Sequence, residues 1–199
     1  MSKEEDNKAV VGRWFTEFWG KDVNLAVIDE IAAPDMLLKY SLHEPRRGHE
    51  DIKSFMTDFR AAFPDLNFWG TADLIAEGDY VVGQWEGGGT HTGRAFGDFL
   101  MGSLPAATGR KMQFTGTTVL KVVDGKIVEE IGLDDGLTAM TQLGIVAAVS
   151  RTRAETRVEF ERALEAQRRE FAAQLVALLG RVDDALGRGP AIDQSPKAA

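Results

Sequence analysis

Residues 117–144, TTVLKVVDGKIVEEIGLDDGLTAMTQLG, decide how this chain folds. Val119–Val123 is rich in β-branched residues, which favour a strand. Asp124 and Gly125 follow, and this pair favours a two-residue hairpin turn because both turn positions require a positive φ. Lys126–Leu133 then returns as a second strand. The segment therefore predicts a β-hairpin.

The second strand ends in two neighbouring carboxylates. Side chains alternate faces along a strand, so Ile127, Ile131 and Leu133 share one face. Asp135 continues that face, and Asp134 points the other way. An apolar face that ends in a carboxylate can supply an acid/base group to a cavity. Alternatively, Asp134 or Asp135 only caps the short helix that follows, and the residues alone leave both interpretations open.

The same segment resembles the closing stretch of the SnoaL-like polyketide cyclases, also called ester cyclases. In that family, a strand of the type IVExW is followed by an aspartate, a short helix and QLG. Here IVEE stands at 127–130, and QLG stands at 142–144. The family spacing between the aspartate and the glutamine selects Asp135 over Asp134. Ile131 stands where the family usually has a tryptophan, which changes the expected shape of the pocket.

Two upstream motifs carry the same resemblance. AFPD at 62–65 closes a helix, and HTG at 91–93 is followed by P-x-x-T-G-R at 105–110. The long connection 93–110 is typical of a functional lid or a disordered loop. The resemblance spans about residues 6–146. It implies a ketosteroid-isomerase-like cone, in which a curved sheet wraps around three helices.

Hydrophobic periodicity independently places the helices mostly in the first third of the chain and most of the strands after them. Helical spacing occurs at 5–20, 25–32 and 52–63, and strand patterns occur at 36–42, 66–77, 80–92 and 112–123. This order is typical of an α+β domain. Periodicity alone supports no more than this fold class.

Composition excludes several classes of protein. The chain has 199 residues, a net charge of −8 and no cysteine, so it has neither disulfides nor thiolate metal ligands. An acidic chain is poorly suited to nucleic acid, whose phosphates dominate affinity. No apolar run approaches the ~18 residues that a membrane span needs. The charged N-terminal segment lacks the apolar core of a secretory signal, so we expect a cytoplasmic protein.

The C-terminal quarter differs from the rest. We expect three regions: a cone domain at 1–148, a helical extension at 149–187 and a disordered tail at 188–199. Phe160, Leu164, Phe171, Leu175 and others recur near heptad spacing, which predicts one long helix. This helix would pack on its own domain or on a partner subunit. It carries no catalytic groups in this interpretation.

Cofactor-independent acid/base chemistry in an apolar pocket fits these features best. The three histidines, at 43, 49 and 91, lack metal-ligand spacing, so we expect no metal and no cofactor. The resemblance implies that Asp135 moves a proton next to a carbonyl group. His91 is our first candidate for the group that stabilises the developing enolate, with His43 or the Trp85 indole second. The predicted substrate contacts are His43, Trp85, Trp14, Phe18, Phe59 and Ile131.

The resemblance implies an ester cyclase that closes a ring in a polyketide-like carbonyl substrate by an aldol-type reaction. Two alternatives remain: a non-enzymatic module that binds a hydrophobic small molecule or assembles with a partner, and an isomerase or dehydratase on the same cone. We also expect a homodimer built on the outer face of the sheet.

Overall fold

A computed structural model of the chain describes residues 2–146, 157–158 and 160–169. The chain divides into two compact units, 1–149 and 150–199. In the second unit, residues 157–158 and 160–169 are helical. The rest of the predicted long helix and the predicted tail lie outside the described residues. No helix in the described part of the chain is long and apolar enough to cross a membrane.

The first unit begins with helices. Helix α1 (Lys3–Trp14) starts at Ser2, whose Oγ accepts the Glu5 backbone N–H at 3.3 Å. It continues directly into a π-helical turn at Phe15–Trp19. Gly20 follows this turn in an extended conformation, and a larger residue does not fit there because its Cβ would lie 2.2 Å from the carbonyl oxygen of Thr16. The short helix α2 (Ala26–Ile31) follows.

The strands form a curved sheet that packs against these helices. Its strands are β1 Ala32–Lys39, β2 Arg46–Arg47, β3 Asn67–Gly70, β4 Ile75–Glu77, β5 Tyr80–Thr90, β8 Lys111–Val123 and β9 Lys126–Asp134. Within the described residues, their order in the sheet is β2-β1-β9-β8-β5-β3, and β4 also pairs with β5. Strands β1 and β9 run parallel, and the other neighbours are antiparallel. The α+β class predicted from the sequence is confirmed.

Two further helices and a small hairpin complete this unit. Helix α3 (His49–Ala62) lies between β2 and β3, and its buried face is Ile52, Phe55, Met56, Phe59 and Ala62. Helix α4 (Gly136–Gln142) follows β9. The predicted long connection at 93–110 contains its own two-stranded sheet, formed by β6 (Phe96–Phe99) and β7 (Gly102–Leu104). This segment is therefore an ordered flap.

The hairpin of β8 and β9 forms as predicted but contains one irregularity. Asp124 and Gly125 occupy its turn with φ values of 49° and 74°. Lys121 pairs with Glu129, whereas Val122 pairs with Ile127, so Val128 is an extra residue in β9. This β-bulge shifts the alternation of side chains by one position. Ile127 and Glu130 are consequently both fully buried on the inner face.

A candidate active site in an aromatic pocket

The inner face of the sheet, helix α3 and the flap enclose a pocket. Its space is about 510 Å³, including the part that is open to solvent. Ten of its lining side chains are aromatic rings: Phe15, Trp19, Tyr40, Phe55, Phe59, Phe68, Trp85, Phe96, Phe99 and Phe114. The other lining residues are Leu42, His43 and Asp134. Such a lining selects a largely apolar ligand, which a few polar groups can orient.

Two glycines on the inner face make room for two of these rings. A Cβ on Gly132 would lie 2.0 Å from Cε1 of Tyr40, and a Cβ on Gly116 would lie 2.2 Å from Cζ2 of Trp85. Both distances are far below van der Waals contact. The glycines therefore let the phenol and the indole lie directly on the sheet, and a larger residue would displace each ring.

Asp134 supplies the carboxylate of the pocket. It is the last residue of β9, pairs with Gly116 across the sheet and is half-buried. The Ser41 hydroxyl donates a hydrogen bond to Oδ1 of Asp134. Burial raises the pKa of Asp134 above its ordinary value, and the hydrogen bonds from Ser41 oppose this shift. Asp134 thus places a carboxylate with a raised pKa at the edge of an apolar cavity.

Asp135 does not face the pocket, so its predicted placement is wrong. The residue is exposed and is the N-cap of α4, where Oδ1 accepts the Thr138 backbone N–H at 3.2 Å. The error has a physical cause: the bulge at Val128 moves Glu130, Gly132 and Asp134 onto the inner face. The capping interpretation applies to Asp135, and the pocket interpretation applies to Asp134.

His43 lies in the pocket wall, as predicted. Its ring packs on Phe55 with 4.2 Å between centroids, and Nδ1 lies 2.8 Å from the carbonyl oxygen of Glu44. A carbonyl only accepts, so Nδ1 carries the proton and Nε2 is an acceptor in the neutral ring. Burial lowers the pKa of His43, which keeps the imidazole uncharged at neutral pH.

His91 does not line the pocket, contrary to the expectation for a catalytic group. It is fully buried, with Nδ1 2.9 Å from Oγ1 of Thr108 and Nε2 2.8 Å from the carbonyl oxygen of Arg94. Its backbone N–H also donates to the Arg110 carbonyl at 2.8 Å. The ring therefore ties together the two ends of the flap segment, and both of its nitrogens are occupied.

The other predicted contact residues divide into two groups. Phe59 and Trp85 line the pocket, but the Trp85 indole N–H is already donated to Oγ1 of Thr118 at 2.7 Å. Trp14 and Phe18 do not line the pocket: they are fully buried and stack on each other at 4.1 Å. Ile131 faces the opposite side of the sheet, because the bulge reverses its orientation too.

Sequence reasoning missed a buried polar cluster behind the pocket. Glu130 is fully buried and accepts three hydrogen bonds, from Trp14 Nε1 at 2.7 Å, Trp19 Nε1 at 3.1 Å and the Tyr40 hydroxyl at 2.6 Å. Burial raises the pKa of Glu130 to about 7, against the effect of these donors. Regular alternation places Glu130 on the solvent side, so only a signal for the bulge could have revealed it.

The flap closes one side of the pocket through several contacts with the body. Phe99 forms a β-bridge with His43, and the Leu100 N–H donates to the Leu42 carbonyl at 3.0 Å. Arg46 forms an ion pair with Asp98. These contacts hold Phe96 and Phe99 over the cavity.

In the described part of the chain, no three His, Asp or Glu side chains are close enough to hold a metal ion.

Comparisons with known proteins agree with this architecture. The family of SnoaL-like polyketide cyclases matches residues 9–143. A proposed SnoaL-like polyketide cyclase from Jannaschia sp. CCS1 is 26% identical, with a TM-score of 0.59 over 72% of this chain and 95% of that chain. A proposed polyketide cyclase from Acidithiobacillus ferrooxidans is also 26% identical, with a TM-score of 0.57 over 72% and 97%.

A more distant structure supports the fold alone. A protein from Catenulispora acidiphila with a ketosteroid isomerase-like fold, solved with trimethylamine, is 16% identical, with a TM-score of 0.53 over 68% of this chain and 92% of that chain. No curated protein sequence matches this chain. The expected ketosteroid-isomerase-like cone is confirmed.

Proposed function

The chain belongs to the SnoaL-like polyketide cyclase family, and we propose that it is a cofactor-independent cyclase that closes a ring in a carbonyl substrate by acid/base chemistry. The observation that carries this proposal is the position of Asp134. It is the carboxylate of an otherwise apolar pocket, and its pKa is raised by burial. A base of this kind can remove a proton from a carbon next to a carbonyl group.

The lining of the pocket defines the class of substrate. Ten aromatic rings favour a flat, unsaturated molecule, because ring edges and faces pack well against such a surface. Lysine and arginine are absent from the residues that line the pocket, so a strongly anionic substrate would have no countercharge. A polyketide ester with several carbonyl groups meets both conditions.

The reaction requires only proton movements and one new carbon–carbon bond. Asp134 takes a proton from the carbon between two carbonyl groups, and the electron pair of the C–H bond forms an enolate. The enolate carbon attacks a second carbonyl carbon of the same molecule. The resulting alkoxide takes the proton back from Asp134. Nothing is oxidised or reduced, and the carboxylate is regenerated.

His43 has a supporting role in this scheme. Its neutral ring presents Nε2 as an acceptor, because Nδ1 donates to the Glu44 carbonyl. It can therefore orient a substrate hydroxyl or the enol form of a carbonyl group. Burial lowers the pKa of His43, so its ring stays neutral and places no positive charge beside Asp134.

The neighbouring carboxylates offer a matched pair of variants. Asp134→Asn removes the base with little change in shape, and we expect kcat to fall by roughly 10²–10⁴-fold for an aromatic β-ketoester that carries a second ketone. Asp135→Asn keeps a good N-cap residue, and we expect less than about a twofold change. Equal activity of the two variants would contradict the proposal. A wild-type protein that binds such esters without turnover would favour the binding module instead.

The proposal includes a homodimer that forms through the outer face of the sheet. Residues paired across neighbouring strands share a face, which places Trp69, Val119 and Leu133 on the side away from the pocket. They are 41%, 40% and 78% exposed, an apolar surface that a second copy can cover. Light scattering at micromolar concentration tests this, and a monomer would contradict it. Leu133→Glu is the variant expected to weaken the dimer.

A further inference from the structure

The C-terminal ends of β1 and β9 meet at one edge of the sheet. The two strands run parallel, and their last paired residues are Lys39 and Ile131. Because parallel strands end on the same side, the residues that follow β1 lie beside the residues that end β9. Ser41 comes two residues after Lys39, and Asp134 comes three residues after Ile131. The topology of the sheet therefore brings Ser41 next to the proposed base.

Ser41 and Asp134 are in direct contact. The Ser41 hydroxyl donates a hydrogen bond to Oδ1 of Asp134. An ionised carboxylate only accepts, so the direction of this bond is fixed while Asp134 is charged. The torsion that turns a carboxylate about its last carbon–carbon bond is soft, and a hydrogen bond to one oxygen restricts it. Ser41 thus holds Oδ1 and leaves Oδ2 as the oxygen that it does not occupy.

Gly136 makes room for this contact. It is the buried first residue of α4. A Cβ there would lie 3.0 Å from Oγ of Ser41 and 3.1 Å from Oδ1 of Asp134. The same Cβ would lie 2.6 Å from Cδ2 of Leu42, which is well below van der Waals contact. A larger residue at this position would therefore crowd the serine and the carboxylate together with the leucine beside them.

The segment that carries Ser41 is anchored on both sides. Before it, the Tyr40 hydroxyl lies 2.9 Å from Oγ1 of Thr118. After it, the Leu42 carbonyl accepts the Leu100 N–H at 3.0 Å. A hydroxyl on an anchored backbone holds its partner in one geometry, which is the requirement for a pre-organised site. Ser41 itself is exposed and is not one of the residues that line the cavity, so replacing it leaves the aromatic lining intact.

We propose that Ser41 is a positioning residue for Asp134: its hydroxyl fixes Oδ1 and so presents Oδ2 to the substrate as the oxygen that takes the proton. This inference rests on the proposed function, because it assigns roles to the two oxygens of the base in that function. Oδ2 gains the proton that the substrate carbon loses, and the electron pair of the C–H bond stays on the substrate as the enolate. The Ser41 proton stays on its own oxygen throughout.

The charges around Asp134 allow its position to be tested apart from its acidity. Burial raises the pKa of Asp134, and hydrogen bonds from Ser41 and from the Gly136 backbone oppose this shift, as does His43. Burial lowers the pKa of His43 and raises that of Tyr40 well above its ordinary value. At pH 8, Asp134 is therefore ionised while both of these neighbours are uncharged. A rate measured at this pH reports on the geometry of the carboxylate.

Ser41→Ala removes the hydroxyl, and turnover of an aromatic β-ketoester with a second ketone, at pH 8, measures the consequence. We expect kcat to fall roughly 10-fold, because a carboxylate that turns freely is often misaligned, while KM changes less than about twofold. A change in acidity alone predicts the opposite sign, since losing a hydrogen bond raises the pKa and a stronger base removes protons faster. Ser54→Ala, at an exposed serine of α3, is the control and should leave kcat unchanged.

Two further variants test the contact itself. Ser41→Thr keeps a hydroxyl at an exposed position and should restore kcat to within about threefold of the wild type. Gly136→Ala keeps both partners but crowds them, so it should lower kcat as Ser41→Ala does. It also keeps the test decisive if circular dichroism shows that Ser41→Ala does not fold. An unchanged kcat in Ser41→Ala, or an equal fall in Ser41→Thr, would overturn the inference.

Carboxyl ¹³C NMR separates this inference from the proposed function, because it needs no turnover. In Ser41→Ala, the pKa of Asp134 should lie further above its ordinary value than in the wild type, since the charged form has lost a hydrogen bond. That result in a protein without cyclase activity overturns the proposed function and leaves the hold of Ser41 on Asp134 intact. An unchanged pKa overturns the role of Ser41, and the proposed function still stands if Asp134→Asn abolishes turnover.

Discussion

Strand β9 carries two inward-facing carboxylates, and they have different environments. Glu130, in the middle of the strand, is fully buried and accepts hydrogen bonds from two indoles and a phenol. Asp134, at the end of the strand, is half-buried and bonded to Ser41. Burial raises both pKa values, and even three donors do not cancel it at Glu130. Hydrogen bonds therefore fix the geometry of Glu130, whereas burial sets its charge.

The largest expected effect is on the pH dependence of stability. The pKa of Glu130 is about 7 in the folded state and near its ordinary 4.5 in the unfolded state, so the folded state binds the proton more tightly. Its contribution to stability is present below about pH 4.5 and is lost as the pH rises to about 7. This amounts to about 3 kcal/mol. Urea denaturation across this range measures it.

Glu130→Gln should remove that pH dependence, because a glutamine side chain does not titrate. Glu129→Gln is the control, since Glu129 is the neighbouring residue and is only half-buried. We expect this control to retain the wild-type dependence. Equal pH dependence of the free energy of unfolding in the wild type and in Glu130→Gln would show that Glu130 is not the group that loses its proton there.

The next largest effect is a loss of stability on replacing Gly132, which lies between Glu130 and Asp134 in β9. Gly132→Ala places a Cβ 2.0 Å from the Tyr40 ring, which must then move away from the sheet. We expect a loss of about 1–3 kcal/mol in the free energy of unfolding. Gly97→Ala is the control, because a Cβ there meets nothing within 4 Å, and we expect a change within about 0.5 kcal/mol. Equal losses of stability in the two variants would contradict the conclusion that Gly132 makes room for the Tyr40 ring.

A smaller effect concerns the carboxylate outside the pocket. Asp135→Ala removes the cap of α4 and should cost about 0.5–2 kcal/mol of stability, with little change in kcat. Asp135→Asn should restore the stability, since asparagine is an equally good cap. Loss of activity in a stable Asp135→Asn protein would reverse the assignment of the two aspartates. Thermal denaturation and turnover are the two measurements required.

The sequence predicts most of the fold but only part of the site. Asp124 and Gly125 determine the hairpin turn, and the apolar spacing of α3 predicts its buried face, because both signals are local. The β-bulge at Val128 depends on how β8 and β9 pair, and no local pattern marks it. Because the bulge reverses the alternation of side chains after it, the carboxylate in the pocket is Asp134 and not the predicted Asp135. For the same reason, regular alternation did not predict that Glu130 is buried. His91 was misplaced because the fold of the flap around it is equally non-local.

The smallest expected effect concerns the C-terminal unit. Truncation after Val149 removes 150–199 and leaves the unit in which the described lining residues of the pocket lie. We expect kcat to change by less than about twofold, while assembly or stability changes. Light scattering and turnover on the truncated chain separate the two. Complete loss of activity in a folded, dimeric truncation would show that the extension completes the site.

The central claim is that Asp134 is the base inside the pocket, and carboxyl NMR tests it most directly. The ¹³C resonance of its carboxyl group is assigned by its absence in Asp134→Asn. We predict that this group titrates with a pKa above its ordinary value, because burial disfavours its charge, and that its resonance moves when acetophenone binds. A pKa at or below the ordinary value, with no response to the ligand, would contradict the claim.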